Sequence, residues 1–301
     1  MPEPSAHPPF PQQSARRDWA VRIVPSTGGA RLHTEIHGPD DAPTVVLVHG
    51  WTCNTALWHG VLHRLLPDHR VVLYDQRGHG RTPPTPGNCD ADALADDLCA
   101  VLDATVPDGA RAVVAGHSMG AMTVVAAAGR PQLAERAAAA LLCSTGIDRL
   151  TGESTVLPLR PGGVRLAGQR FLLTNRLRYG PPTPLSRRLV HRITLGPGAT
   201  RTQRAAVTRM VSACAPRPRA EWGRVLSALD LTERAAALDL PVTLLQGTAD
   251  RLTPPVHAHR LAALLPRRPE FAELPGIGHM TPFEAPGRVA DVVRGLVKEH
   301  L

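Results

Sequence analysis

Short, nearly unbroken apolar runs alternate along this chain with longer stretches in which leucine, valine and alanine recur at every third or fourth position. The first kind has the length and β-branched content of a strand buried on both faces, and the second has the period of an amphipathic helix. Ala20 to Val24 and Ala30 to Ile36, separated by Pro25-Ser26-Thr27-Gly28-Gly29, predict a β-hairpin. Thr44 to Val48 predicts a buried strand, followed by a helix over about Thr55 to Leu66 with Asn54 or Thr55 near its cap. Arg70 to Tyr74 predicts the next strand. Beyond a proline-rich loop, Ala91 to Leu102 reads as a helix with Leu94, Leu98, Val101 and Leu102 as its apolar stripe. Val113 to Ala115 opens a strand–turn–helix unit whose helix runs up to Gly129 and Pro131, and Ala137 to Leu142 is a further strand.

The alternation then breaks. From about Gly146 to Ala235 the chain is rich in proline, glycine and arginine, with short helix-like stretches and no clear strand. It resumes with a strand at Pro241 to Gln246, a helix from about Pro255 to Leu265, a short strand near Pro269 to Leu274 and a last helix from about Pro286 to Glu299. Strands alternating with helices after an initial hairpin predict an α/β protein with a mostly parallel sheet flanked by helices. The expected organisation is a tail at 1–18, one core formed by 19–145 and 236–301, and a mainly helical insertion at 146–235 after the sixth strand. Leaving the sheet there and returning before Pro241, the insertion is expected to lie over the carboxyl ends of the strands.

Composition narrows the classes. The chain of 301 residues is 43% hydrophobic and 20% charged, the proportions of a globular protein, but aromatics make up only 3%, so its core must be built from alanine, valine and leucine. No apolar run approaches the ~20 residues that span a bilayer. The first eighteen residues, rich in proline, serine and glutamine, read as disordered. Arg16-Arg17 is not followed by an apolar segment, which argues against an export signal of the twin-arginine kind. The cysteines, Cys53, Cys89, Cys99, Cys143 and Cys214, are scattered and odd in number. They suggest neither a metal site nor a disulfide framework, and a cytoplasmic location fits them best.

The net charge is +8, and its distribution says more than its size. Ile147 to Ala235 carries sixteen arginines against five acids, a net of +11, so the remainder carries −3. A nucleic-acid partner is not expected despite a pI of about 10.2. No recognised binding motif accompanies the charge, and Lys298 is the only lysine, which points to a general bias towards arginine.

Between the strand at Val113 and its helix stands Gly116-His117-Ser118-Met119-Gly120. A serine in a tight strand-to-helix turn stands proud of the sheet in a strained conformation, and the flanking positions must then lack bulk. The helix N-terminus beside it favours developing negative charge. The bland alternative is a tight turn with a capping serine. Three further groups fall at carboxyl ends of strands, where open parallel sheets gather their chemistry: His49-Gly50-Trp51, Asp250 and His279. A serine nucleophile needs a base and an acid that orients the base, and the order Ser118, Asp250, His279 is one of the chain orders known for that triad. His279 also reads as a plain loop histidine, and Asp250 as a helix cap. His49 and His117 read as structural hydrogen-bonding groups, as does the loop Asp75-Gln76-Arg77-Gly78-His79-Gly80. Trp51 and Cys53 read either as acyl-pocket lining or as packing.

The motifs HGW at 49–51, DQRGHGRT at 75–82, GHSMGAM at 116–122, GTADRLTPP at 247–255 and GIGHMTPFEAP at 276–286 resemble those of the α/β-hydrolase superfamily. The resemblance is to its cap-bearing kind, which includes serine esterases, lipases, C–C bond hydrolases and cofactor-free haloperoxidases. It covers the chain from about residue 20 to its end, except the insertion. It implies Ser118 as nucleophile, His279 as general base, Asp250 as its orienting acid, and the backbone N–H groups of Trp51 and Met119 as the oxyanion hole. Some relatives place the acid after the sixth strand, which makes Asp148 the alternative to Asp250. A serine at 118 speaks against haloalkane dehalogenase and epoxide hydrolase chemistry, which uses a carboxylate nucleophile. The resemblance implies an esterase acting on a small-molecule acyl substrate without cofactor or metal. Thioesterase, C–C hydrolase and haloperoxidase chemistry are alternatives, as is a non-catalytic ligand receptor on the same fold. The insertion, expected to be a cap, mixes Leu166, Phe171, Leu172, Leu173 and Leu177 with Arg165, Arg170, Arg176 and Arg178. That mixture suits a lid with its apolar residues inward over an acyl chain and its guanidinium groups outward. The outer face is then either an ordinary solvated one or one that attracts an anionic partner: an acyl carrier protein, coenzyme A or an acidic membrane surface.

Overall fold

The expected hairpin is formed by Trp19–Pro25 (β1) and Arg31–His37 (β2), paired antiparallel in the computed structural model, which describes residues 19–66 and 68–301. The tail expected at 1–18 therefore lies outside the described residues. Thr44–Val48 (β3), Arg70–Tyr74 (β4), Ala112–His117 (β5), Ala137–Cys143 (β6) and Val242–Gly247 (β7) are buried along their whole length. Glu270–Leu274 (β8) closes the far edge. The order across the sheet is β1-β2-β4-β3-β5-β6-β7-β8, and every pairing from β4 onward is parallel.

Strands buried on both faces require cover on both, and the alternation of side chains divides the core in two. Val46, Val48, Val72, Tyr74, Val114 and Leu142 face one apolar cluster, and Val45, Leu47, Val71, Leu73, Val113 and Leu141 face the other. His59–Leu65 (α1) packs into the second cluster, and Ala91–Thr105 (α2), Met119–Ala126 (α3) and Pro131–Arg136 (α4) pack into the first. The predicted stripe of α2 is fully buried, and the Asp90 carboxylate caps the helix by accepting from Ala93 N–H at 2.7 Å. The helix expected from Thr55 begins instead as a 3₁₀ turn, Thr55–Trp58, with Asn54 as its cap. α4, which the sequence reading did not anticipate, is only six residues long and opens with Pro131 at its first position.

Between β6 and β7 the described chain is helical throughout its regular structure: Leu150–Glu153 (α5), Gly163–Thr174 (α6), Pro184–Thr194 (α7), Arg201–Ala213 (α8), Pro216–Ala228 (α9) and Thr232–Ala236 (α10). Pro255–Leu264 (α11), Thr281–Glu284 (α12) and Pro286–His300 (α13) complete the chain. Two indole hydrogen bonds are among those that fasten the inserted helices to the core. Trp222 of α9 donates to the Arg77 carbonyl at 2.9 Å, and Trp51 donates to the Arg219 carbonyl at 3.0 Å.

The chain runs from β3 to β4 on one side and returns to β5 on the other, so β3 and β5 flank a topological switch point. In an open parallel sheet that crevice, at the carboxyl ends, is where a ligand sits. Val48 pairs with Gly116, which brings His49-Gly50-Trp51 level with Ser118.

Candidate active site

Ser118 sits between β5 and α3 at φ 53° and ψ −117°, a left-handed conformation that costs a non-glycine residue about 1–3 kcal/mol. Its neighbours show why the turn demands glycine. A Cβ on Gly116 would meet Ala121 N at 2.5 Å, and one on Gly120 would lie 2.1 Å from the Val48 carbonyl oxygen. Gly120→Ala should therefore push α3 off β3 and lower stability by about 1–3 kcal/mol, as overpacked sites do. A denaturation midpoint equal to that of the unaltered protein would refute this account of the turn. The capping alternative fails, because the Ser118 side chain accepts no N–H from the first turn of α3.

The hydroxyl is instead joined to a buried chain. Ser118 Oγ lies 3.0 Å from His279 Nε2, and His279 Nδ1 lies 2.8 Å from Asp250 Oδ2. With Nδ1–H donating to the carboxylate, Nε2 carries the lone pair that faces the serine. Asp250 is itself held on all sides. Its Oδ1 accepts from the backbone N–H groups of Leu252 at 2.8 Å and Thr253 at 3.0 Å, and its Oδ2 from the Thr253 hydroxyl at 2.9 Å. Gln246 Nε2 adds a longer contact of 3.3 Å. Thr253 was not singled out from the sequence. Its signal there was local: an aspartate whose carboxylate accepts N–H groups two and three residues on forms an Asx turn.

Asp148 is elsewhere. Its carboxylate takes Arg260 Nη1 at 2.9 Å, in a cluster shared with Glu153. The structure brings Asp250, not Asp148, to the imidazole.

The backbone N–H of Met119 opens α3, where the first-turn N–H groups have no intrahelical acceptor. Among the described residues neither that N–H nor that of Trp51 donates to another protein group. Met119 directly follows Ser118, and Trp51, just past the end of the adjacent strand β3, lines the same cavity as Ser118.

His49 and His117 are structural, as expected. His49 Nδ1–H donates to the Gly50 carbonyl at 2.8 Å, and its Nε2 accepts from Gln76 N–H at 3.0 Å. His117 Nε2–H donates to the His279 carbonyl at 2.8 Å, fixing the loop that carries the second histidine. Burial lowers the pKa of both, so they stay neutral, and it drives His79 down to about 3. In the 75–82 loop Asp75 accepts from Thr55 N–H and Arg81 N–H, each at 2.9 Å, while Arg77 forms a buried pair with Asp97, Nε to Oδ2 at 2.7 Å. Glu284, also missed, clamps the loop of His279 to the insertion by accepting from Gly278 N–H at 3.0 Å and Gly196 N–H at 2.7 Å. Burial pushes its carboxyl up to about 7 against the pull of those two donors.

Ser118 and His279 open on a cavity of about 290 Å³. Its walls are mainly apolar: Met122 and Met280 from the core, and Leu150, Leu173, Val190 and Ile193 from the inserted helices. Trp51 and Cys53 line it too. Among the described residues no aspartate, glutamate, lysine or arginine lines it, so an uncharged apolar group fits it best.

The sequence pattern of the alpha/beta hydrolase family matches residues 45–292. The chain belongs to the alpha/beta hydrolase family. It is 39% identical over 119 residues to the probable oxidoreductase EphD of Mycobacterium tuberculosis, a match that covers 39% of this chain but only 20% of that protein's length. It is 27% identical over 268 residues to the bifunctional esterase/perhydrolase DCH of Acinetobacter calcoaceticus, covering 86% of this chain and 93% of that one. Among solved structures, a thermophilic esterase from Thermogutta terrifontis superposes with a TM-score of 0.74 at 25% identity, covering 94% of this chain and 99% of that chain. The mostly parallel eight-stranded sheet is thus that of an alpha/beta hydrolase. Among the described residues no helix is long and apolar enough to cross a membrane, and no group of three or more His, Cys, Asp or Glu side chains is arranged to hold a metal.

Proposed function

We propose that this hydrolase is a serine esterase acting on a carboxylic ester with an apolar acyl group, through an acyl-enzyme on Ser118. The observation that carries the reading is the hydrogen-bonded chain from Asp250 through His279 to Ser118, ending at the mouth of an apolar cavity. In this mechanism His279 Nε2 takes the proton as Ser118 Oγ attacks the ester carbonyl, and Asp250 stabilises the imidazolium that forms. The N–H groups of Trp51 and Met119 receive the negative charge that develops on the carbonyl oxygen. His279 returns its proton to the departing alcohol. Water, activated by the same imidazole, then releases the acid. The segment 146–235 serves as the cap, contributing most of the acyl pocket. All five cysteines are unbridged, which suits a reducing cytoplasm.

The test is a series of p-nitrophenyl esters of increasing straight-chain length, with Ser118→Ala as the blank. Each methylene buried in the cavity contributes about 0.8 kcal/mol, so kcat/KM should rise about fourfold per CH₂ until the cavity is full, then fall. Equal turnover of all chain lengths would refute the acyl assignment. Binding of such esters without turnover would favour a receptor instead. The esterase/perhydrolase relative supports perhydrolysis as a second reading, with hydrogen peroxide replacing water in the deacylation step. Peracid formation from a short ester and peroxide, at a rate comparable to hydrolysis, would distinguish it.

A further inference from the structure

From residue 154 to 220 the chain carries thirteen arginines and no aspartate or glutamate. The same region holds most of the exposed apolar surface. Of thirteen large apolar side chains exposed among the described residues, eight fall between Leu159 and Leu189. Val164 on α6 and Leu185 on α7 are 79% and 77% exposed. Phe171 and Leu177, expected from the sequence to face inward, are exposed in the same stretch of chain, because α6 and the residues after it turn only part of their apolar surface to the cavity. Arg170, Arg176, Arg178, Arg187 and Arg188 are exposed among them. A monomeric protein keeps few such side chains in water without a use for them.

The patch is continuous with the cavity. Leu185, Leu189 and Ile193 follow one another at every fourth position of α7 and form one stripe. Leu185 stands in solvent, Leu189 is exposed and also lines the cavity, and Ile193 lies in the cavity wall. On α6 the exposed Phe171 is followed by Leu172 and Leu173, both in the wall. Exposed apolar side chains of both α6 and α7 thus lead into the cavity of Ser118, in a stretch of chain whose only charged side chains besides histidine are arginines. A second copy of the chain would bring two strongly basic faces together, which repel each other. A lipid surface answers both features at once, with anionic headgroups for the arginines and hydrocarbon for the leucines, valine and phenylalanine.

We propose that the α6–α7 face docks on an anionic lipid surface and that the ester enters the cavity directly from it. Delivery to Ser118 rests on the esterase reading above, whereas docking does not. Co-sedimentation of the full chain, as Ser118→Ala to leave the lipid intact, with vesicles of phosphatidylglycerol and phosphatidylcholine or of phosphatidylcholine alone tests the docking. Binding to the anionic vesicles should be tighter by about tenfold or more and weaken as salt rises. Phe171→Ser with Leu185→Ser should abolish it, and Arg187→Gln with Arg188→Gln should remove the preference for anionic lipid. The Phe171→Ser, Leu185→Ser protein with Ser118 intact should hydrolyse a soluble short-chain ester at the unaltered rate, since neither side chain lines the cavity. No vesicle binding, equal binding to both vesicles, or binding that survives the Phe171 and Leu185 replacements would overturn the proposal. So would a dimer in sedimentation velocity that Leu185→Ser dissolves, which would give the face to a second copy. Vesicle binding without any ester hydrolysis would leave docking standing and remove the esterase reading.

Discussion

Ser118→Ala is expected to lose hydrolysis almost entirely, on the order of 10⁶ in kcat, as when the serine of other triads is removed. The side chain contributes one hydrogen bond, to His279 Nε2, and caps nothing, so its loss should leave the fold intact. Alanine must adopt the same left-handed conformation at φ 53°, so the strain of the turn is unchanged. The thermal midpoint should therefore stay close to that of the unaltered protein while turnover disappears. A phosphonate ester should label Ser118 and no other serine, and the variant should not be labelled. Undiminished turnover, or labelling at another serine, would remove Ser118 from the role of nucleophile.

Asp250→Asn is expected to cost on the order of 10⁴ in kcat. The amide would present an N–H to His279 Nδ1 in place of a carboxylate oxygen, forcing the proton onto Nε2. That nitrogen could then no longer accept from Ser118. The N–H groups of Leu252 and Thr253 would still orient the side chain, so the loss should fall on kcat far more than on folding. Asp148→Asn should leave kcat nearly unchanged, because its carboxylate is engaged by Arg260 and does not contact the imidazole. The opposite ranking of the two variants would transfer the acid role to Asp148.

Much of this protein was legible in its sequence, for reasons that can be named. Residues 44–48, 70–74 and 242–246 are strands because each is a short apolar run that only burial on both faces can accommodate. Leu94, Leu98, Val101 and Leu102 mark a helix because their spacing gathers them on one face. Gly116 and Ser118 identify their turn because a Cβ on Gly116 would meet the backbone of Gly120 and Ala121, a few residues on. These are local constraints, written within a few neighbouring residues.

Other features depend on residues far apart in the chain, and local pattern carries no trace of them. Asp148 and Asp250 are both aspartates just past a strand, and periodicity and spacing do not say which meets His279, although the resemblance of the segment at 247–255 implied Asp250. The distance of 2.8 Å to Asp250 is set by the neighbouring positions of β7 and β8 in the sheet. Glu284 ties the His279 loop to Gly196 through a bond whose partner is defined only once those distant segments meet. The arginine excess was visible as a number, but the exposure of Phe171, Leu177 and Leu185 beside a cavity wall formed by Leu173, Leu189 and Ile193 was not. The sequence by itself determined the strands and most helices of the core, the turn at Ser118 and the residues available for chemistry, since periodicity and backbone sterics act over short range. The tertiary structure alone decided which carboxylate faces the imidazole and where the charged and apolar faces of the insertion point, since both follow from how distant segments pack.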